Sequence, residues 1–281
     1  MSKSTRERLA FALLGLSALV VVVPVVAVIA LLVIRGVPAI SRSFLTEMPR
    51  NGMREGGIMP ALVGSACLMA GTLVFAVPVG VMAAIYLTEY ARKSRLTRLV
   101  RLAIVNLAGV PSIVYGLFGY GLFVLFLHFG KSILAGSATL ALLVLPVIIT
   151  SSEKALLSVP QSFRDASLGL GATKWQTVWR VVLPNSAAGI ITGVILGIGR
   201  AVGETAPIMF TAAAFYLPRL PQSALDDCMA LPYQLYVMAS EMFNAPERVQ
   251  WGTALTLLML ILSMSLTAAV IRNRFRSKRT W

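Results

Sequence analysis

Long apolar runs separated by short polar stretches set the pattern of this chain. Runs of about 18 or more apolar residues with few charges mark membrane-crossing helices, and five stand out: Leu9 to Ile34, Ala61 to Leu87, Leu102 to Leu127, Ile133 to Ser151 and Trp251 to Ile271. A sixth, Ser186 to Ala213, carries two charges, Arg200 and Glu204. None alternates as barrel strands do, and backbone in lipid must satisfy its own hydrogen bonds, so the pattern predicts an all-α protein with six transmembrane helices. The expected organisation is an N-terminal helix with a first outer loop over 1–60, a five-helix core over 61–271 containing a polar loop at 152–185, and a basic tail over 272–281.

Composition narrows the class. With 57% hydrophobic residues, 13% charged and a mean hydropathy of +0.81, a soluble domain of 281 residues would aggregate. The net charge of +14 is unevenly spread: the segments before Leu9, from Glu89 to Arg101, from Ser152 to Asn185 and after Ile271 hold 17 of the 25 Lys and Arg. By the positive-inside rule both termini and the 152–185 loop face the cytoplasm. Topology thus explains the charge, and no basic stretch is interleaved with base-stacking aromatics, so nucleic-acid binding is not expected. The first run is too long for a secretory signal core and is read as an uncleaved helix. Cys67 in the second run and Cys228 in an outer loop are too separated in topology to suggest a disulfide. No metal-ligand cluster is visible, and His128 is the single histidine.

The 152–185 loop has the grammar of two short helices. Ser158 stands three residues before Gln161 with Pro160 between them, a capping-box pattern. That helix should end near Gly169 or Gly171, either of which can take a left-handed cap. Thr173 and Gln176 form a second box, and Trp175, Val178, Trp179 and Val182 recur at helical spacing as an apolar face that Pro184 closes. Capping alone fits equally a loop lying on the membrane surface, where Trp is favoured. The spacing of Asp165, Ala166, Ser167, Gly171, Val181, Leu183 and Pro184 decides between them. It resembles the cytoplasmic loop by which permease subunits of ABC importers dock on their ATPases. Small side chains at Ala166 and Ser167 permit close approach, the glycine permits a sharp turn, and Leu-Pro sets where the next membrane helix begins.

That next helix carries GRAVGETAPIMFTA from Gly199 to Ala212. Arg200 lies some 15 residues past Pro184, about 22 Å along a helix and close to the bilayer centre. An intramembrane Arg costs about 2.5 to 3.5 kcal/mol to insert and by default marks a pathway. Glu204 at i+4 can pair with it, and Pro207 removes the helical partner of the Gly203 carbonyl, so the helix should kink beside the pair. The pair reads either as a structural lock between helices or as part of an oxyanion path, in which Arg presents a planar fork to phosphate oxygens while Glu204 competes for it. Glu204 could also accept a hydrogen bond from a protonated phosphate oxygen, which ionised sulfate lacks.

GETAP with its Phe-Thr-Ala sequel, PSIVYGLFG from Pro111 to Gly119 and LPYQLYVMA from Leu231 to Ala239 are similar to the A-type permeases of phosphate-specific ABC importers. The resemblance implies a type I ABC importer permease (MetI-like) fold in the bacterial inner membrane. It further implies pairing with a related C-type permease, two copies of an ATPase subunit below, a soluble phosphate-binding protein outside, and inorganic phosphate as substrate. Cofactors are expected on the partner ATPase, which would use ATP and Mg, and none on this chain, which is not expected to be an enzyme. Consistently, Gly130, Lys131 and Ser132 form a GKS triplet, but position 125 is Leu and no phosphate-binding loop is complete. Candidate path residues are Arg200, Glu204, Thr205, Ser112 and Tyr115, the last two open to satisfaction by neighbouring backbone instead. Gly189, Gly193 and Gly197 form a small-residue seam, within the chain or between subunits. Pro78, Pro111 and Pro146 fall inside spans. The outer segment from Phe215 to Gln250, with an interfacial helix expected around Tyr233 to Phe243, is a candidate surface for the binding protein. Two alternatives stay open: a permease for sulfate, molybdate or phosphonate, and a self-sufficient channel or secondary transporter using Arg200 and Glu204 as its relay.

Overall fold

The computed structural model describes residues 3–276, so the end of the expected basic tail, 277–281, lies outside the described residues. The first apolar run forms α1 (Lys3–Gly36), 34 residues with Pro24 inside it. None of its apolar window is buried by the rest of the chain, as suits a helix facing lipid or another chain. A short turn leads to α2 (Arg42–Thr46), capped by the Ser41 hydroxyl, which accepts from the Phe44 amide. Two two-residue strands, Pro49–Arg50 and Glu55–Gly56, then pair antiparallel, the one departure among these elements from an all-α pattern.

The second run is α3 (Met59–Ile85), which ends in a π-turn at Tyr86–Tyr90. Span three departs from expectation. The apolar run Leu102 to Leu127 is not one straight helix but α4 (Arg95–Leu107) and α5 (Ser112–Gly119), the latter continuing as a π-turn to Phe126, with a bend of 105° between them. Pro111 heads α5 at an extended ψ of 140°, which breaks the ladder, and Ser94 starts α4 as its cap. Pro78 and Pro146, by contrast, stay inside continuous helices.

The fourth run is α6 (Ile133–Leu157), the most buried of the long helices. Its cap is Ser132, whose hydroxyl accepts from the Ala135 amide, so the serine of the GKS triplet serves a helix start. Two short helices follow, α7 (Gln161–Gly169) and α8 (Lys174–Thr177). A π-turn at Val178–Val182 runs into α9 (Leu183–Val202), and α10 (Ala206–Thr211) follows a break. Continuity from Lys174 to Val202 corrects the expectation that Pro184 ends the loop helix. The π-turn already interrupts the regular ladder there, so the missing Pro184 amide ends nothing. The expected sixth apolar run, Ser186 to Ala213, is likewise split, because the helix stops at Val202.

After an irregular segment come α11 (Leu231–Ser240) and α12 (Glu247–Arg276). The first covers much of the stretch where an interfacial helix is expected but ends at Ser240, and it packs Leu231, Pro232, Gln234, Val237 and Met238 inward while Tyr236 stays exposed. Helices α3, α6 and α9 form the centre, with α12 on α9, α1 on α12 and α5 on α10. The glycine seam of α9 faces α6: a Cβ at Gly189 or Gly193 would meet the Ala155 or Ser151 Cβ at 2.5 Å. Close intrachain packing therefore accounts for it. Both cysteines are free, as expected, although the topological reason does not hold: Cys67 packs on the apolar cluster that contains buried Cys228. Burial first, then the nearby Cys67 and Asp227, pushes the Cys228 thiol up to about 12.

Candidate functional site

Two sets of candidate residues fall at different levels of the bundle. The first is the polar loop. Helix α7 starts without a capping box, because Pro160 occupies the cap position and the Ser158 hydroxyl donates to the Ala155 carbonyl at 2.8 Å, closing α6 instead. Gly171 then turns the chain at φ +83°, a left-handed conformation open to glycine. The second box does form: the Thr173 hydroxyl accepts from the Gln176 amide at 3.3 Å, and the Gln176 side chain accepts from the Thr173 amide at 2.8 Å. The four-residue apolar face divides. Val178 and Val182 are fully buried, while Trp175 and Trp179 turn outward and pack on each other in a tilted arrangement, with centroids 5.2 Å apart and planes 56° apart.

The loop is braced from within and bare outside. Ser167 and Thr177 share a hydroxyl hydrogen bond of 2.9 Å that ties α7 to α8. Gln161 donates to Asp165 at 3.1 Å, leaving the carboxylate exposed beside exposed Ala166. At the tip, Leu170 is 90% exposed between Gly169 and Gly171. The sequence reading missed Leu170, although a lone apolar residue between two glycines of a polar loop is a readable signal. It missed Arg164 as well, which lies buried beside the motif. Leu183 and Pro184 begin α9.

The second set lies at the far end of α9. Arg200 Nε and Glu204 Oε1 are 3.6 Å apart, with side chains 31% and 18% exposed. Arg200 stands in the last turn of α9, where a cation complements the carbonyl end of the helix dipole. The helix opens at Gly203, and the Glu204 amide donates to the Ala201 carbonyl at 3.3 Å, so the break expected from Pro207 falls beside the charged pair. Thr205 takes the cap position of α10, and its hydroxyl makes no cap bond there. Tyr115 lies within electrostatic reach of Arg200, and its hydroxyl donates to the Leu107 carbonyl at 2.9 Å. Ser112 opens α5, half-buried. A cavity of ≈ 10 Å³ beside Glu204, walled by Ser65, Leu68 and Met69 of α3, has room for about one water. On the other side α9 is open: Leu196 is exposed, and a Cβ at Gly199 or Gly203 would meet nothing within 4 Å. The pair therefore sits at the edge of an uncovered face. Among the described residues no group of three or more His, Cys, Asp or Glu is placed to hold a metal ion.

With this geometry in view, the comparison with known families is decisive. The model of binding-protein-dependent transport system inner membrane components matches residues 76–278, well over half the chain. This chain belongs to that family. The inner membrane transport component therefore sits in the membrane as a multi-pass permease, and its relatives are transport permeases. "Phosphate transport system permease protein PstA 1" of Mycobacterium tuberculosis (strain CDC 1551 / Oshkosh) is 37% identical over 261 residues, 91% of this chain and 85% of the relative. The Haemophilus influenzae "Phosphate transport system permease protein PstA" is 34% identical, covering 84% of this chain and 82% of its own. The Bacillus subtilis "Probable ABC transporter permease protein YqgI" is 35% identical over 78% and 74%.

Solved structures agree on fold. A chain of a bacterial alginate ABC transporter, in complex with an alginate pentasaccharide-bound periplasmic protein, superposes with a TM-score of 0.69 at 14% identity, covering 96% of both chains. A chain of the inward-facing MetNI methionine ABC transporter gives 0.61 at 18% identity, covering 78% of this permease and 97% of itself. The inner membrane component thus has the MetI-like fold of ABC importer permeases.

Proposed function

We propose that this chain is the transmembrane permease subunit of an ATP-driven importer that carries inorganic phosphate across the bacterial inner membrane. The observation that carries the reading is the Arg200–Glu204 pair at the break of α9, on an open face, in a chain whose relatives bear the PstA phosphate-permease name. A guanidinium on a side chain only 31% exposed offers a planar fork to two phosphate oxygens. Glu204 keeps that fork occupied when no anion is present, so phosphate exchanges with a tethered carboxylate rather than settling in a trap. A carboxylate oxygen also accepts from a protonated phosphate hydroxyl, a bond that ionised sulfate cannot offer.

The permease would be one half of the path. The uncovered α9 face around Leu196, Gly199 and Gly203 suits a related C-type permease as heterodimer partner. At the other end, exposed Asp165, Ala166, Leu170 and Gly171 suit a groove on one of two ATPase subunits, which would use ATP and Mg. The positive-inside bias supports a cytoplasmic position for that loop and for both termini. A soluble phosphate-binding protein would meet the opposite end, where Phe215, Leu225, Tyr236 and Phe243 are exposed. Reconstitution in proteoliposomes tests the assignment. Phosphate uptake should require both ATP and the binding protein; uptake without either would establish a self-sufficient transporter instead.

A further inference from the structure

The docking motif accounts for Asp165, Ala166, Ser167 and Gly171 but not for the residue before them, and Arg164 is the most heavily bonded side chain of the loop. Its side chain and that of Glu89 are only 11% and 9% exposed. Arg164 Nη2 donates to Glu89 Oε1 at 2.7 Å and Nε donates to the same oxygen at 3.2 Å. The remaining donors close α6, with Nη1 to the Val159 carbonyl at 2.7 Å and Nη2 to the Leu156 carbonyl at 2.9 Å. One guanidinium thus joins α7, the carbonyl end of α6 and the π-turn that ends α3. The second loop helix grips the same turn, since Lys174 Nζ lies 5.1 Å from the centre of the Tyr90 ring.

A buried ion pair is seldom more stabilising than apolar packing of the same volume, so stability alone gives weak reason for this one. What it provides is a stiff joint: a planar fork with donors satisfied by two elements can transmit displacement without rotamer slack. The joint leads somewhere. Helix α3 rises from the gripped turn to Ser65, Leu68 and Met69, which wall the small cavity beside Glu204. We propose that Arg164 and Glu89 are positioning residues that pass ATPase movement from the docking loop into α3. They form a second transmission line beside the covalent one through the π-turn into α9. The inference rests on the reading of the loop as an ATPase dock.

The test uses the complete reconstituted importer and reads phosphate imported per ATP hydrolysed. In Glu89→Gln and in Arg164→Gln the ATPase should remain bound and active while the ratio falls at least about fivefold, the lower range of ordinary allosteric coupling. The doubly exchanged chain, Glu89→Arg with Arg164→Glu, should recover part of that loss, which a purely steric role would not produce. An unchanged ratio in both single variants overturns the proposal. So does loss of the ATPase from them, because the pair would then shape the dock rather than transmit. Lys174→Gln, at an exposed position, covers the case in which a buried variant fails to accumulate: it should lower the ratio by a smaller factor, and no change there overturns the link. Gly171→Val, run alongside, tests the dock itself. A full complement of bound ATPase in that variant would end the docking reading, whereas the transmission link fails on the ratio alone.

Discussion

Leu170 offers the cleanest measurement of what docking is worth. Its side chain is 90% exposed at the tip of the loop, and its amide donates to the Ala166 and Leu168 carbonyls, bonds that any residue with an N–H makes. Leu170→Ala should therefore leave the isolated permease within about 0.5 kcal/mol of its original stability. If the tip enters an ATPase groove, the substitution removes three carbon atoms from that interface. At about 0.8 kcal/mol per buried methylene, full burial predicts a loss near 2.4 kcal/mol, and partial burial about 1.5. With 1.4 kcal/mol per tenfold, the Kd for the ATPase should rise about ten- to fiftyfold. Titration of labelled ATPase onto the solubilised permease pair reads this directly, with the melting temperature of the permease as control. An unchanged Kd at unchanged stability would remove the tip from the interface and refute the docking geometry.

Other outcomes follow from the same loop and helix geometry. Gly171→Val must hold a β-branched residue at φ +83°, at a cost of about 1–2 kcal/mol in the loop, and should lose copurifying ATPase; Gly171→Asn, which tolerates that region, should keep it. Gly193→Val drives a Cβ against Ser151 and should lower thermal stability in detergent by about 1–3 kcal/mol, whereas Gly199→Leu meets nothing within the chain and should spare its folding but impair pairing with the second permease. Unchanged melting of the Gly193 variant, or normal pairing of the Gly199 variant, would contradict these assignments. Because burial pushes the Cys228 thiol up to about 12, maleimide at pH 8 should fail to label a Cys67→Ser chain when folded and label it after denaturation; rapid labelling of that native variant would show that the outer segment opens.

Local chemistry made much of this legible in sequence. The Thr173–Gln176 box and the Gly171 turn involve neighbours a few residues apart, and the structure forms both. Arg200 and Glu204 stand out because charge in an apolar run is costly, and Pro207 two turns on marks where the helix opens. The Ser158 box failed because the extended Pro160 took the cap position, leaving Ser158 on the preceding helix. The third span was misread for a related reason: hydropathy from Leu102 to Leu127 is continuous and carries no information on direction, so the 105° turn before Pro111 is invisible to it. Arg164 could not be read at all, since its partner Glu89 lies 75 residues away and only the folded bundle brings them together.

The central claim is that Arg200 serves the phosphate path rather than the fold. Its side chain is 31% exposed and its ion pair is with Glu204 on the following turn rather than with another helix, so its removal should leave the bundle assembled. The direct measurement is radiolabelled phosphate uptake by proteoliposomes holding the full importer, supplied with binding protein, ATP and excess sulfate, for the parent chain and Arg200→Ala. The account predicts uptake indifferent to sulfate in the parent, and background uptake in Arg200→Ala with all subunits still present. Undiminished phosphate uptake by Arg200→Ala would contradict it.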